Sequence, residues 1–105
     1  MRAGNLDREI TLERVTTAID DAGTPVETWA PIATLRAELL DDVTDEKQRE
    51  QGASTERTLT FQTRYLGGVT VADRLAYEGQ PFNLIQVKEI GRRRGLELTA
   101  ERIGS

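Results

Sequence analysis

Residues 6–15, which read LDREITLERV, decide the expected fold of this chain. Leu6, Ile10 and Leu12 fall on one side of an extended backbone, whereas acidic residues and a threonine fill the positions between them. A period of two that includes β-branched residues is typical of a half-buried β-strand. The stretch therefore predicts an early strand with one face in a core.

The same alternation recurs along the rest of the chain, with turn-forming residues between the segments. Pro31 favours an end to the second strand, because proline cannot donate to a strand ladder. Five or six short strands predict an all-β fold, or a β-rich fold with one short helix, as a small antiparallel barrel or sandwich. The further strand segments are a short run ending at Pro31, IATLRAELL (32–40), TLTFQTRY (58–65), the hairpin RLAYEGQPFNLIQV (74–87) with Glu78-Gly79 at its tip and Ile85 or Val87 turned inward, and LELTAERI (96–103).

Composition limits the size and the chemistry of the molecule. A chain of 105 residues predicts one domain over residues 1–105, and a net charge of −4 gives no basic field to attract DNA or a membrane. The absence of cysteine and histidine excludes disulfides, thiolate nucleophiles, imidazole catalysis and the usual zinc sites. No stretch resembles a signal peptide or a membrane span, so we expect a soluble protein that is not exported.

The segment at residues 41–57, DDVTDEKQREQGASTER, interrupts the apolar pattern with six acids and three bases. We expect an exposed, mobile loop insertion, because almost no apolar side chain is present to fix it to a core. A short helix over residues 42–51 is the alternative, with Asp42 or Thr44 as its cap and Gly52 at its end. Long loops in small domains are often functional.

Two further features each have two interpretations. Three consecutive arginines between Gly91 and Gly95 are the tip of a hairpin, or they also contact an acidic partner or DNA phosphate. Trp29 is a core residue, or it anchors a subunit interface from an edge of the sheet.

The sequence contains no phosphate-binding glycine loop, nucleophile elbow or paired metal motif, so we expect no enzymatic activity, no cofactor and no metal. Single-strand binding by a barrel needs exposed aromatic side chains in basic surroundings. We assign Phe61 and Phe82 to the core instead. A small monomeric β-barrel that binds nucleic acid or a small ligand remains the alternative function.

The order of segments from about residue 6 to residue 102 resembles the bacteriophage head–tail joining family, whose members are also called head-closure or stopper proteins. The similarity lies in patterns of strands and turns, and the acidic insertion departs from the stretch that members commonly carry there. The best-matching pieces are Ile10-Thr11-Leu12, Gly23 with Val26-Glu27-Thr28-Trp29, Arg64-Tyr65, and residues 74–82, RLAYEGQPF.

The resemblance implies a ring of six or twelve copies below the portal and adaptor, continuing the DNA channel, retaining packaged DNA and docking a tail terminator or tail tube. Double-stranded DNA would pass through the lumen without sequence recognition. Such rings belong to virions of phages, prophages or gene transfer agents and assemble in the bacterial cytoplasm. The candidate channel or gate residues are Asp41, Asp42, Asp45, Glu46, Lys47, Arg49 and Glu50, and the candidate inter-subunit or docking contacts are Trp29, Arg92, Arg93 and Arg94.

Overall fold

The computed structural model describes residues 6–49 and 52–104, except for the side chains of residues 47–49, 52–54, 103 and 104. Six strands account for most of this part of the chain. They are β1 Arg8–Ile19, β2 Pro25–Arg49, β3 Gly52–Thr63, β4 Arg74–Tyr77, β5 Gln80–Ile90 and β6 Gly95–Gly104.

The six strands form one antiparallel sheet that closes on itself as a barrel, in the order β1-β2-β3-β6-β5-β4. The prediction of an all-β fold is confirmed, and residues 6–49 and 52–104 contain no helix. No helix in this part of the chain is therefore long and apolar enough to cross a membrane.

The barrel interior is filled by alternate side chains from every strand. Phe61 and Tyr77 meet edge to face, with ring centres 5.0 Å apart. This arrangement suits the opposite charges of a ring's edge and face. The buried apolar residues are Ile10, Leu12, Ala37, Leu59, Phe61, Leu75, Tyr77, Phe82, Leu84, Leu96, Leu98 and Ala100.

β-Bulges change which side chains face the core. Opposite Leu12 and Glu13, β2 has Ala33 and Pro31, so the register leaves Ile32 without a partner. The expectation that a strand ends at Pro31 is wrong, because the bulge lets β2 continue as a single strand of 25 residues.

A second bulge, between Leu84 and Gln86, exposes Ile85 and returns Val87 to the core. The bulge thus settles which of the two hydrophobic residues turns inward. An extra residue in a strand shifts the alternation by one position.

The acidic segment forms strands rather than the expected loop or helix. Residues 41–49 continue β2 and pair with residues 52–60 of β3, after a third bulge at Leu40. We call residues 41–49 and 52–57 the arm. The expectation of a loop was wrong because backbone pairing with a neighbouring strand needs no apolar side chain.

Candidate assembly surfaces

The antiparallel order gives the barrel two chemically different ends. The connections at residues 20–24, 64–73 and 91–94 lie at one end, which we call the arginine end. The tip of the arm and the Glu78-Gly79 turn lie at the other end, the arm end.

The arginine hairpin, residues 91–95, joins β5 to β6 as a tight turn. Gly91 and Arg93 have positive φ angles of 60° and 57°, and the backbone N–H of Arg94 donates to the carbonyl of Ile90 at 3.2 Å. Residues 91–94 are exposed. The hairpin prediction is confirmed, while any contact of its arginines with a partner remains a prediction.

Unpaired arginines gather at the arginine end. Arg64 and the three hairpin arginines form no ion pair with a described residue, although Arg93 lies 5.9 Å from the ring centre of Tyr65. By contrast, Arg14, Arg57 and Arg74 each bind a carboxylate. The positive charge of these four side chains is therefore free to attract an anionic surface.

A buried carboxylate ties the connection at residues 64–73 to β1. The Asp73 side chain is 1% exposed and accepts from Arg14 Nε at 2.9 Å and Nη2 at 3.0 Å. It also accepts from the Thr70 backbone N–H at 3.0 Å, while Arg14 Nη2 donates to the Gly68 carbonyl at 2.7 Å. The hydrogen bond from Arg14 holds the pKa of Asp73 below its ordinary value, against the opposing effect of burial.

The sequence did not predict this contact between Arg14 and Asp73. Arg14 and Asp73 are 59 positions apart, and neither belongs to a recognisable motif. Only the proximity of β1 to the end of the 64–73 connection brings them together, so no local sequence signal could have found the pair.

Trp29 lies half-buried on the outside of the sheet and is not part of the buried core. The Arg74 guanidinium is 4.5 Å from its ring centre and bonds Glu13 at 2.6 Å. The core interpretation of Trp29 was wrong because the bulge at Ile32 shifts the alternation of β2, so that Trp29 faces outward opposite Val15. Tryptophan over a paired arginine is a common composition for an interface anchor, so that interpretation stays open.

An ion pair at the base of the arm joins its two strands. Arg57 donates to both carboxylate oxygens of Asp42, at 3.1 and 2.9 Å, and its guanidinium lies 5.8 Å from the ring centre of Phe82. These hydrogen bonds lower the pKa of Asp42. The two strands are thus held together at the base of the arm, whereas Asp45 and Glu46 further out are exposed.

The predicted gate residues occupy both faces of the arm. The register places Asp42 on the face of β2 opposite Leu59, hence on the core side, while Asp41 and Asp45 alternate to the outer side. Asp41, Asp45 and Glu46 are exposed. Lys47 and Arg49 belong to β2, and Glu50 lies outside the described residues.

The described residues form a cleft but no cluster of metal-ligating side chains. They contain no group of three acidic side chains close enough to hold a metal ion. An open cleft of about 490 Å³ lies between the start of β1 and the β4–β5 turn, lined by charged and small side chains and by Tyr77. Burial and the neighbouring Glu78 raise the pKa of Tyr77 there, which makes its hydroxyl a poorer acid.

The fold is a small closed β-barrel that carries charged and aromatic side chains on its outer surface. The model of the phage head completion protein family matches residues 1–103, and the chain belongs to that family. This membership gives the protein a structural role in the phage head.

Solved structures share the fold. A chain of a native gene transfer agent virion is 20% identical, with a TM-score of 0.71 and coverage of 90% of this chain and 92% of that chain. Protein SF1141 of Shigella flexneri 2a is 20% identical, with a TM-score of 0.66 and 95% coverage of both chains. The protein xkdH of the Bacillus phage-like element PBSX is 14% identical, with a TM-score of 0.60 and coverage of 90% and 92%. No curated protein sequence matches significantly.

Proposed function

We propose that this protein is a head–tail connector subunit that forms a ring of six or twelve copies beneath the portal and adaptor. The ring continues the DNA channel, retains packaged DNA and docks the tail terminator or tail tube. It acts in the virion after assembly in the bacterial cytoplasm, in a phage, a prophage or a gene transfer agent. Membership of the phage head completion protein family is the observation that carries this proposal.

The opposite ends of the barrel support the proposal physically. A connector subunit must contact different neighbours above and below, and this barrel has unpaired arginines at one end and an acidic arm at the other. Charge differences of this kind guide which surface meets which partner. We assign Arg92, Arg93 and Arg94 to docking and Trp29 to a subunit contact.

The arm is the candidate channel element. In a ring of copies, arms with a net charge of −3 over residues 41–57 would repel one another and DNA phosphate. Repulsion suits a passage through which DNA slides without sticking. The competing role is that the arm clasps the adjacent subunit or adaptor.

Deletion of the outer part of the arm separates these roles. Residues 43–53 are removed and the ends are joined by Gly-Ser, and particles are assembled with this variant in place of the wild-type protein. If the arm is a gate, heads will join tails but lose DNA before the tail is added. Retained DNA with impaired docking would support the clasp instead.

A matched control variant keeps the backbone of the arm and removes only negative charge, through Asp41→Asn, Asp45→Asn and Glu46→Gln. If charge repulsion keeps the passage open, this variant will retain DNA but slow its exit. Failure of the wild-type protein to complete empty positions on heads would overturn the connector function itself.

Nucleic-acid recognition by the barrel face is not supported by the packing. Phe61, Tyr77 and Phe82 are 0%, 4% and 1% exposed, so these rings cannot stack on bases. We therefore do not propose the binding-module alternative.

A further inference from the structure

The first two strands extend past the barrel at the arginine end as a two-stranded ribbon, residues 14–19 of β1 and 25–30 of β2. In the described residues β4 pairs with β1 only at positions 11–13, and β3 meets β2 only from Ala37 onward. Each strand of the ribbon therefore has one edge without a neighbouring strand. Unpaired edges are templates for strand addition unless something blocks them.

The hydrogen bonding of the turn shows which backbone groups face these edges. The Asp20 N–H donates to the Thr24 carbonyl at 3.0 Å, so this pair is bonded across the ribbon. Antiparallel pairs alternate between bonded and non-bonded. The pairs Ile19–Pro25, Thr17–Glu27 and Val15–Trp29 of the same register therefore point their N–H and C=O groups outward.

The two edges differ in their protection. On β2 the outward positions include Pro25 and Pro31, which have no N–H, and the charged Glu27. On β1 the outward positions are Val15, Thr17 and Ile19, which include neither proline nor charge. No described residue bonds the backbone of these three on the outer side. Proline and charge are the devices that natural sheets use to block pairing.

The β1 edge is also held rigid at both ends. Arg14 at its base is bound to Asp73 and to the Gly68 carbonyl. At its tip the Asp20 carboxylate accepts from the N–H groups of Ala22 and Thr24, each at 2.9 Å. A strand that is already extended loses little conformational entropy when it binds.

We propose that the β1 edge at Val15, Thr17 and Ile19 accepts an extended, β-branched strand, basic at one end, from a different protein of the particle. The basic end faces the ribbon tip, where Asp21 forms no ion pair with a described residue. The exposed Ile19 side chain, at 73%, gives the incoming strand an apolar contact. Pairing of this kind takes affinity from main-chain hydrogen bonds and specificity from alternate side chains.

A second copy of this chain is a poorer occupant. Its complementary ribbon edge carries the two prolines and Glu27. Pairing β1 with β1 would make a two-fold dimer, whereas a ring needs contacts between different surfaces of identical subunits. The inference rests on the proposed function, because its occupant is a neighbour in the same particle.

The test places proline on one edge at a time. Thr17→Pro removes an outward N–H from β1 and leaves the bonds between β1 and β2 intact, and Glu27→Pro is the matched change on β2. Thr17→Val keeps the N–H and controls for the side chain. Particles are assembled with each variant in place of the wild-type protein, and the yield of complete, tailed particles is measured. We expect Thr17→Pro to lower the yield of complete particles at least about tenfold and the two controls to stay within about twofold.

Hydrogen exchange of the wild-type protein provides a second test, which does not depend on whether a variant folds. We expect the amides of Val15, Thr17 and Ile19 to exchange rapidly in the free protein and slowly in complete particles. Unchanged exchange, or full assembly of Thr17→Pro, would overturn the inference while leaving the connector function standing.

Two further outcomes would also contradict the proposed strand addition at the β1 edge. A wild-type dimer in sedimentation that Thr17→Pro abolishes would identify a second copy as the occupant and overturn the choice of partner. Failure of the wild-type protein to complete heads would remove the connector function and this inference with it.

Discussion

The hairpin of β2 and β3 has two halves that share strands but differ in what holds them. In the barrel half, Ala37, Leu59, Phe61 and Thr63 are fully buried. In the arm half, residues 41–46 are exposed, and Val43 is 43% exposed. The ladder between the strands nevertheless continues from one half into the other.

The difference shows that strand pairing and core formation are separable. The barrel half is stabilised by apolar burial, whereas the arm half relies on main-chain bonds, on β6 pairing with β3 as far as Thr55, and on the Asp42–Arg57 pair. Regions with few buried contacts open at lower free energy than the core. The arm can therefore move or reshape while the barrel stays folded.

The largest effect is expected in the barrel half. Phe61→Ala should lower the free energy of unfolding by about 3–5 kcal/mol, because it leaves a cavity where the ring met Tyr77. Val43→Ala in the arm half should cost less than about 1 kcal/mol. Urea unfolding checks both, and equal losses would contradict the division between the halves.

The second largest effect is expected on removal of the Arg14–Asp73 pair. Asp73→Ala should cost about 2 kcal/mol, because Arg14 and the Thr70 N–H lose their acceptor. The folded pKa of Asp73 is lowered, so its stabilisation is present above the ordinary aspartate pKa and is lost as pH falls through the folded value. Unfolding measured from pH 7 down to pH 2 should show a smaller acid loss in Asp73→Asn than in the wild type. Identical pH dependence of the two proteins would show that the ionised Asp73 side chain contributes nothing to the free energy of unfolding.

A smaller effect is expected at the base of the arm. Asp42→Asn should cost less than about 1 kcal/mol, since both partners are about one-third exposed and solvent screens their attraction. Amide exchange in residues 41–46 should nevertheless accelerate while core amides are unchanged. Faster exchange throughout the barrel would mean that arm and barrel unfold as one unit.

The smallest effect on folding is expected at the arginine hairpin. Replacement of Arg92, Arg93 and Arg94 by serine should change the unfolding free energy by less than about 0.5 kcal/mol, because these exposed side chains pair with no described carboxylate. Joining to a neighbouring ring or tail should weaken, and more strongly at low salt. Normal assembly into infectious particles would leave the arginines a solubilising role only.

Local sequence patterns predicted a large part of the architecture. Alternation identified the strands, and Glu78-Gly79, with φ angles of 52° and 76°, marked the turn between β4 and β5 as expected. Alternation failed where an extra residue shifted the register, at Ile32 and Ile85. It also failed in the arm, where the strand has no apolar side to reveal it.

By itself, the sequence determined the all-β class, the turns and the absence of cysteine and histidine chemistry, because these depend on residues close together in the chain. The tertiary structure alone decided that Arg14 meets Asp73, that Arg74 covers Trp29 and that Thr17 lies on an open edge. Each depends on which strands become neighbours and where one ends before the next. Closure of the whole barrel sets those distances, and no local pattern encodes them.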